Sequence, residues 1–288
     1  MPTFPTMRRV LLGFAMLAVT GVLTACGVSS TVDPVAAAAT KTEKAGGYHV
    51  EINSTVTSGG IDVRMHGQGS FGDNGGELDM DMSQTFKSLS TPPAAEMTMK
   101  TVYLIEDGDL VMYMKFGGLP MPGGKSWVRV DLEKAGKAMG VDFSQLMSGA
   151  NQNPTQSLDM LKGSGDFTRV GTDDLQGVET THYHGTVDLQ KAAGSHHAGA
   201  AGIQSLIDLG APSQYPVDVW IDAAGYIRQY QTVFNETSNG TATTVAMTMD
   251  ISDYGTAVNV SAPPADQVLD VTDQAAKTLQ SQLNSGTS

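Results

Sequence analysis

The strongest constraint on the fold is an alternation of apolar and polar residues that recurs along the chain. Residues 77–82 and 110–115 each place apolar side chains, mostly methionine, at every second position. A period of two puts these side chains on one face of a β-strand. Turns rich in Gly, Asn and Asp at 58–60, 73–76 and 106–109 separate such runs. The sequence therefore predicts an antiparallel sheet with one buried face and one solvated face.

Helices interrupt this pattern at a few places. Asp33-Pro34 is a capping pair that opens a helix ending at Gly46-Gly47, and Asp131 caps a second helix. Further helical spacing follows at 153–163 and over a polar segment at 266–283, while the Gly/His-rich residues 192–201 are predicted to form a mobile loop. Helices grouped against an antiparallel sheet predict an α+β fold.

The N-terminal segment has the organisation of an export signal. Arg8 and Arg9 precede an apolar run from Val10 to Leu23, and the small pair Thr24-Ala25 comes directly before Cys26. This order resembles a bacterial lipobox, whose cysteine receives a diacylglyceryl group. The alternative is an ordinary signal peptide with an incidental cysteine. We expect residues 1–25 to be a lipoprotein signal peptide, and Cys26 to anchor the mature protein at the extracytoplasmic face of the cell membrane.

Composition excludes several classes of partner and chemistry. The chain has 17 Lys+Arg against 30 Asp+Glu, and this acidic balance argues against a nucleic-acid partner. Cys26 is the single cysteine, so disulfides and thiolate metal sites are excluded. No apolar stretch after Cys26 is long enough for a transmembrane helix.

The choice of methionine for the apolar faces is unusual, because strands prefer β-branched and aromatic residues. One interpretation is that the methionines simply fill a core. A second is that they line a cavity and adapt to a long-chain ligand. A third, thioether binding of Cu(I), has no supporting Cys or His on the same faces.

Several segments along the chain resemble one bacterial lipoprotein family. Besides the lipobox, they are Ser126–Leu132, Asn153–Leu161, Gly177–Tyr183 and Pro216–Gly225. Together they are similar to the mycobacterial-type LppX/LprG/LprA/LprF lipoproteins, which are related in fold to the lipoprotein carrier LolA. The resemblance implies a strongly curved antiparallel half-barrel whose concave face is covered by helices. It also implies a hydrophobic pocket for acylated lipids or glycolipids, which the protein would carry away from the membrane.

On this interpretation residues 26–32 are a lipidated tether, residues 33–270 a single lipid-binding domain of the LppX/LolA type, and residues 271–288 a polar C-terminal tail. The predicted ligand cavity is lined by alternating apolar residues of several strands, with the 192–201 loop as its gate. These residues are Met80, Met82, Met97, Met99, Met112, Met114, Val219, Ile221, Met247 and Met249.

Motifs that could carry chemistry have simpler explanations. The G-x-G-x-x-G run at 67–72 lies between alternating strands, whereas a dinucleotide site needs it to open a helix. His182 and His184 share a strand face and could bind zinc with the loop pair His196-His197, but a surface pair is the favoured interpretation. Asp107–Asp109 is a hairpin turn without the Glu that a Ca²⁺ loop requires. We predict no catalytic residue, metal site or cofactor.

The predicted function is binding and carrying, or presenting, a lipid or glycolipid without catalysis. The expected partners are the membrane, through the acyl chains, that lipid, and an envelope transport or acceptor protein. The alternative is a structural or interaction lipoprotein with a filled core that docks a cell-envelope protein. A metal-dependent enzyme or metal carrier ranks third.

Overall fold

The computed structural model describes residues 33–72, 74–86, 95–119, 121–138, 158, 160–161, 167–194, 207, 212–238 and 240–277. The compact unit begins at Asp33. The predicted signal peptide, Cys26 and the tether lie outside the described residues.

Twelve strands form one open, curved sheet in the order β12-β6-β5-β4-β3-β2-β1-β11-β10-β9-β8-β7. Every described pairing is antiparallel except that of β12 with β6. The predicted α+β class and curved antiparallel sheet are confirmed. The strands are β1 Tyr48–Ser58, β2 Ile61–Gly72, β3 Gly75–Phe86, β4 Ala95–Glu106, β5 Asp109–Phe116, β6 Trp127–Asp131, β7 Thr168–Leu175, β8 Val178–Asp188, β9 Gln214–Asp222, β10 Ile227–Ser238, β11 Thr241–Ser252 and β12 Val268–Asp270.

The helices are short, and polar side chains cap two of them as the sequence predicts. The Asp33 carboxylate accepts from the N–H groups of Val35 and Ala36, and Asp131 accepts from the N–H of Lys134. The α-helices are α1 Pro34–Glu43, α2 Leu132–Ala138, α3 Leu189–Gly194 and α4 at 272–277, and single 3₁₀ turns occupy Pro122–Gly124 and Ala265–Gln267.

Two local predictions were wrong. Residues 268–270, predicted as part of a helix, form β12, because their backbone pairs with Trp127–Arg129 at the edge of the sheet. Residues 192–194, predicted as part of a mobile loop, end α3, and Ala192 is fully buried. The rest of that loop, 195–201, lies outside the described residues. Residues 271–277 of the predicted polar tail pack on the sheet through Val271 and Ala275.

The main core lies on one face of the sheet, which we call the inner face. There, Val35, Ala38 and Ala39 of α1 pack in one cluster with strand residues such as Val50 and Ile251. Leu158, Leu161 and Leu189 complete this cluster, and all three are fully buried. Helical residues therefore cover this part of the inner face.

Two smaller clusters lie at the β12 end of the sheet. On the inner face, Val128 and Val130 pack with Ala135 of α2. On the opposite, outer face, Val111 and Tyr113 are buried with Val260 and Val268 packed against their cluster. The outer face is therefore not solvated throughout.

Candidate ligand-binding face

Strand register places all ten predicted cavity residues on the inner face. Directly opposed residues of neighbouring strands share a face, so pairing can be followed across the sheet. Two neighbouring rows each cross at least five strands. The first contains Val219, Tyr230, Met249, Ile52, Gly67, Met80 and Met99, and the second Met247, Ser54, Met65, Met82 and Met97. Ile221 lies two positions from Val219 on the same strand. Met112 and Met114 lie on β5, where they pair with β4 residues an even number of positions from Met99. All three therefore share the inner face.

Glycines of the G-x-G-x-x-G run allow the sheet to bend toward this face. Gly67 and Gly69 lie in the middle of β2, as the sequence predicts for a strand rather than a nucleotide loop. A Cβ atom on Gly69 would lie 2.2 Å from the carbonyl oxygen of Glu77 and 3.1 Å from the Cα atom of Leu78. The backbone of β3 therefore occupies the space of a β2 side chain, and the inner face is concave here.

Burial divides the ten predicted residues into groups. Val219, Ile221 and Met249 are buried in the main core, which protein side chains fill. Met80 and Met247 are partly buried against that core, Met114 packs against the α2 cluster, and Met99 and Met112 are partly buried. The last two, Met82 and Met97, line an open cleft.

This cleft has a volume of about 380 Å³ and crosses four adjacent strands, β1 to β4. Its lining combines the inner-face row Ser54, Met65, Met82 and Met97 with residues of the two outer-face rows beside it, which include Arg64, His66, Asp81 and Glu96. Met97 is 38% exposed. The inner face thus changes from a filled core near α1 to an open methionine surface at the other end of the same strands.

Met65 belongs to this surface but is absent from the predicted set. It is paired directly with Met82 in the β2–β3 hairpin. The turn at 73–76 is visible in the sequence. Counting the pairing of β2 with β3 back from this turn places Met65 opposite Met82, so the sequence contained the information needed to identify it.

The outer face of the same strands is charged. Lys100 lies 2.9 Å from Glu77 and 3.4 Å from Asp79. The hydrogen bond to Glu77 raises the pKa of Lys100 despite partial burial. Asp79 and Asp81 are exposed here, so the two faces of β3 differ sharply in polarity, as the alternation predicts.

The other sequence motifs lie in a turn, on a strand face and partly outside the described residues. Asp107–Asp109 forms the β4–β5 turn, with Asp107 at a positive φ of 53°. His182 and His184 share the outer face of β8, while His196-His197 lies outside the described residues. In the described part of the chain, no three His, Asp, Glu or Cys side chains stand arranged around a metal-sized space. A helix long and apolar enough to cross a membrane was likewise not found among the described residues.

Comparison with known proteins finds no matching family model. An uncharacterized 31.2 kDa protein of the rplA–rplJ intergenic region of Streptomyces griseus is 28% identical over 157 residues, which are 51% of this chain. The chain thus spans about half (49%) of the length of this curated relative.

Among solved structures, LprF from Mycobacterium bovis is similar with a TM-score of 0.39 and 13% identity, covering 81% of this chain and 96% of that chain. The Mycobacterium tuberculosis lipoprotein LppX gives a TM-score of 0.35 and 15% identity, covering 80% and 100%. Both are members of the family that the sequence resembles.

Proposed function

We propose that the protein is a membrane-anchored, extracytoplasmic lipoprotein that binds the apolar part of a lipid or glycolipid on its inner face and catalyses no reaction. One observation carries this proposal. The inner face is continuous across the sheet, and its apolar surface is covered near α1 but open at Met65, Met82 and Met97.

The properties of the cleft fit a flexible apolar ligand. Its volume of about 380 Å³ lies within the roughly 300–1,000 Å³ typical of small-molecule sites. Methionine side chains are unbranched and can repack around chains of different shape. Each methylene group that leaves water contributes about 0.8 kcal/mol, so even part of one acyl chain gives useful binding.

Membrane anchoring is the second part of the proposal. Lipidation at Cys26 would hold the protein at the membrane surface, where lipids are available. Delivery to an envelope transport or acceptor protein would complete a carrier function.

A second candidate function is supported by the filled part of the inner face. Val219, Ile221 and Met249 contact protein rather than open space. If the open cleft bound no ligand, the protein would be an interaction lipoprotein that docks another envelope protein. Ligand binding at Met82 and Met97 therefore separates the two functions.

The test measures binding of a neutral amphiphile. The chain from Val28 onward contains the whole compact unit, which begins at Asp33. We expect it to bind N-phenylnaphthylamine with a fluorescence increase that dioleoylglycerol reverses. Met82→Lys and Met97→Lys should each weaken dioleoylglycerol binding more than about tenfold. A charge placed against an acyl chain costs more than the ~1.4 kcal/mol that corresponds to tenfold.

Matched controls lie on the outer face of β2 and β3, outside the cleft. Gln68→Lys and Thr85→Lys add the same charge, opposite Asp79 and Asp62 respectively, and neither residue lines the cleft. They should leave binding unchanged. Equal losses in both pairs of variants, or no binding by the unmodified chain, would contradict the proposal and favour the interaction protein.

A further inference from the structure

Three loops at one end of the sheet contain no acidic residue, and we call them the acid-free end. They are 59–60 between β1 and β2, 117–126 between β5 and β6, and 239–240 between β10 and β11. These loops lie at the same end because β1, β5 and β10 run in one direction through the antiparallel sheet. The β1–β2 hairpin carries the cleft residues Ser54 and Met65 close to its turn. The open part of the inner face therefore lies next to the acid-free end.

The loops at the opposite end of these strands are acidic. Asp73 lies between β2 and β3, Asp107 between β4 and β5, and Asp253 directly after β11. Pressing such charges against a bilayer removes their hydration, which costs free energy. The loops of the acid-free end contain one charged residue, Lys125. Acidic residues near these loops lie within strands, and they are Asp62, Glu96 and Glu236. Of the two ends, the acid-free end is the one suited to close contact with a membrane.

Hydrogen bonds hold the acid-free end beside the cleft. The hydroxyl groups of Ser58 and Thr243 are 2.7 Å apart, which links the β1–β2 and β10–β11 hairpins. The Gly117 N–H donates to the Thr98 carbonyl over 2.8 Å. Thr98 directly follows Met97, and both residues line the cleft. The β5–β6 loop therefore begins at the edge of the cleft.

This loop presents an apolar side chain to solvent. Leu119 is 53% exposed. It follows Gly118, which has a φ of 76° and whose Cβ position has no atom within 4 Å. The same open space surrounds Gly60 and Gly240 in the two hairpin turns. A stable protein interface buries many side chains from each partner, whereas a bilayer interface accepts a single apolar side chain on a protruding loop. A lipid surface is therefore the partner that these loops fit.

We propose that the acid-free end docks on the surface of a lipid bilayer, that the Leu119 side chain enters the apolar region there, and that the cleft exchanges its lipid at this contact. The inference rests on the proposed function, because it concerns how a lipid reaches the cleft. Exposing each methylene group of an acyl chain to water is unfavourable, so a route directly from bilayer to cleft is favoured. One leucine binds weakly, but anchoring at Cys26 keeps the loop at a high local concentration near the membrane.

The experiment places a fluorescent label at the docking loop. The chain from Val28 onward contains no cysteine, so Leu119→Cys provides one site for an environment-sensitive nitrobenzoxadiazole dye. An N-terminal histidine tag replaces the acyl anchor and holds the chain on dioleoylphosphatidylcholine vesicles that contain nickel-chelating lipid. We expect a several-fold increase and a blue shift of emission on the vesicles. Ile105→Cys is the matched control, because Ile105 is 47% exposed but lies beside the acidic β4–β5 turn. Its label should not respond.

Dioleoylglycerol binding in solution tests the proposed function separately. Leu119→Asp should leave that binding unchanged and should slow the uptake of dioleoylglycerol from vesicles by the tethered chain several-fold. If dioleoylglycerol binds in solution but the label at position 119 does not respond, or responds no more than the label at position 105, the docking inference is overturned and the proposed function stands. Loss of solution binding in Leu119→Asp would place Leu119 in the binding face and would also overturn the inference. Absence of solution binding by the parent chain would instead contradict the proposed function.

Discussion

At the scale of single residues, two glycines decide the shape of the inner face. Gly67 and Gly69 occupy inner-face positions in β2 where a side chain would collide with or crowd β3. The neighbours of Gly69 along its row, Val50 and Leu78, are both buried and supply the apolar contacts that this glycine lacks. The sheet can therefore bend where the strand has no side chain to hold its neighbour away.

Gly69→Ala should accordingly destabilise the protein. The new Cβ atom would lie 2.2 Å from the backbone oxygen of Glu77, which cannot move without shifting β3. We expect a loss of about 1–3 kcal/mol in the free energy of unfolding, measured by urea denaturation. Gly171→Ala in β7 is the control, because no atom lies within 4 Å of its Cβ position. A similar loss of unfolding free energy in both variants would mean that the substitution acts through backbone propensity and not through a collision with β3.

At the scale of secondary-structure elements, α1 is tied to the β9–β10 hairpin by polar and aromatic contacts. The buried Thr42 hydroxyl accepts from the Ile227 N–H over 3.0 Å. Lys41 lies over the Tyr226 ring, with Nζ 4.5 Å from its centroid, and donates to the Ala224 carbonyl. These contacts fix the helix over the filled half of the inner face.

Thr42→Val tests this attachment. The substitution conserves shape but removes the acceptor for the buried N–H of Ile227, which should cost about 1–3 kcal/mol of unfolding free energy. Thr40→Val is the matched control, because the Thr40 hydroxyl bonds within its own helix, to the Ala36 carbonyl. Chemical denaturation of both variants gives the comparison. Equal effects would mean that α1 does not depend on the bond to β10.

At the scale of the whole molecule, three aspartates join the ends of strands to the helices that follow. Burial opposes ionisation of both Asp131 and Asp270. Lys134 nevertheless holds the pKa of Asp131 below its ordinary value, and Thr272 and Arg129 do the same for the pKa of Asp270. The pKa of Asp188 is lowered because the Lys191 N–H and the Gln214 amide donate to its carboxylate.

These shifts predict acid destabilisation. A carboxyl group whose pKa is lower in the folded state stabilises that state fully above its unfolded pKa of about 3.9. The stabilisation is lost as pH falls through the lower folded value. Asp131→Asn should therefore lower the urea midpoint clearly at pH 7 and much less at pH 3. The control is Asp273→Asn, on the exposed side of α4, which should leave the urea midpoint unchanged at both pH values. If Asp131→Asn lowered the midpoint equally at pH 7 and pH 3, the ionised Asp131 carboxylate would not be the source of the stabilisation.

The sequence by itself determined most strands and turns and the caps of α1 and α2, because these depend on residues close together in the chain. The alternation at 77–82 sufficed to assign an inner and an outer face to β3, and the pairing agrees. Asp33 and Asp131 predicted their helices because capping is a local interaction.

Only the tertiary structure decided which inner-face residues meet protein and which meet a cleft. Met249 and Met97 have the same local pattern, yet the first is buried in the main core and the second is 38% exposed. The difference arises from segments far away in sequence that pack over one end of the strands. Likewise, the strand at 268–270 and the hydrogen bonds of His182 and His184 with Asp218 depend on pairing between distant strands. Burial and side-chain convergence are set by these long-range contacts, which local periodicity does not encode.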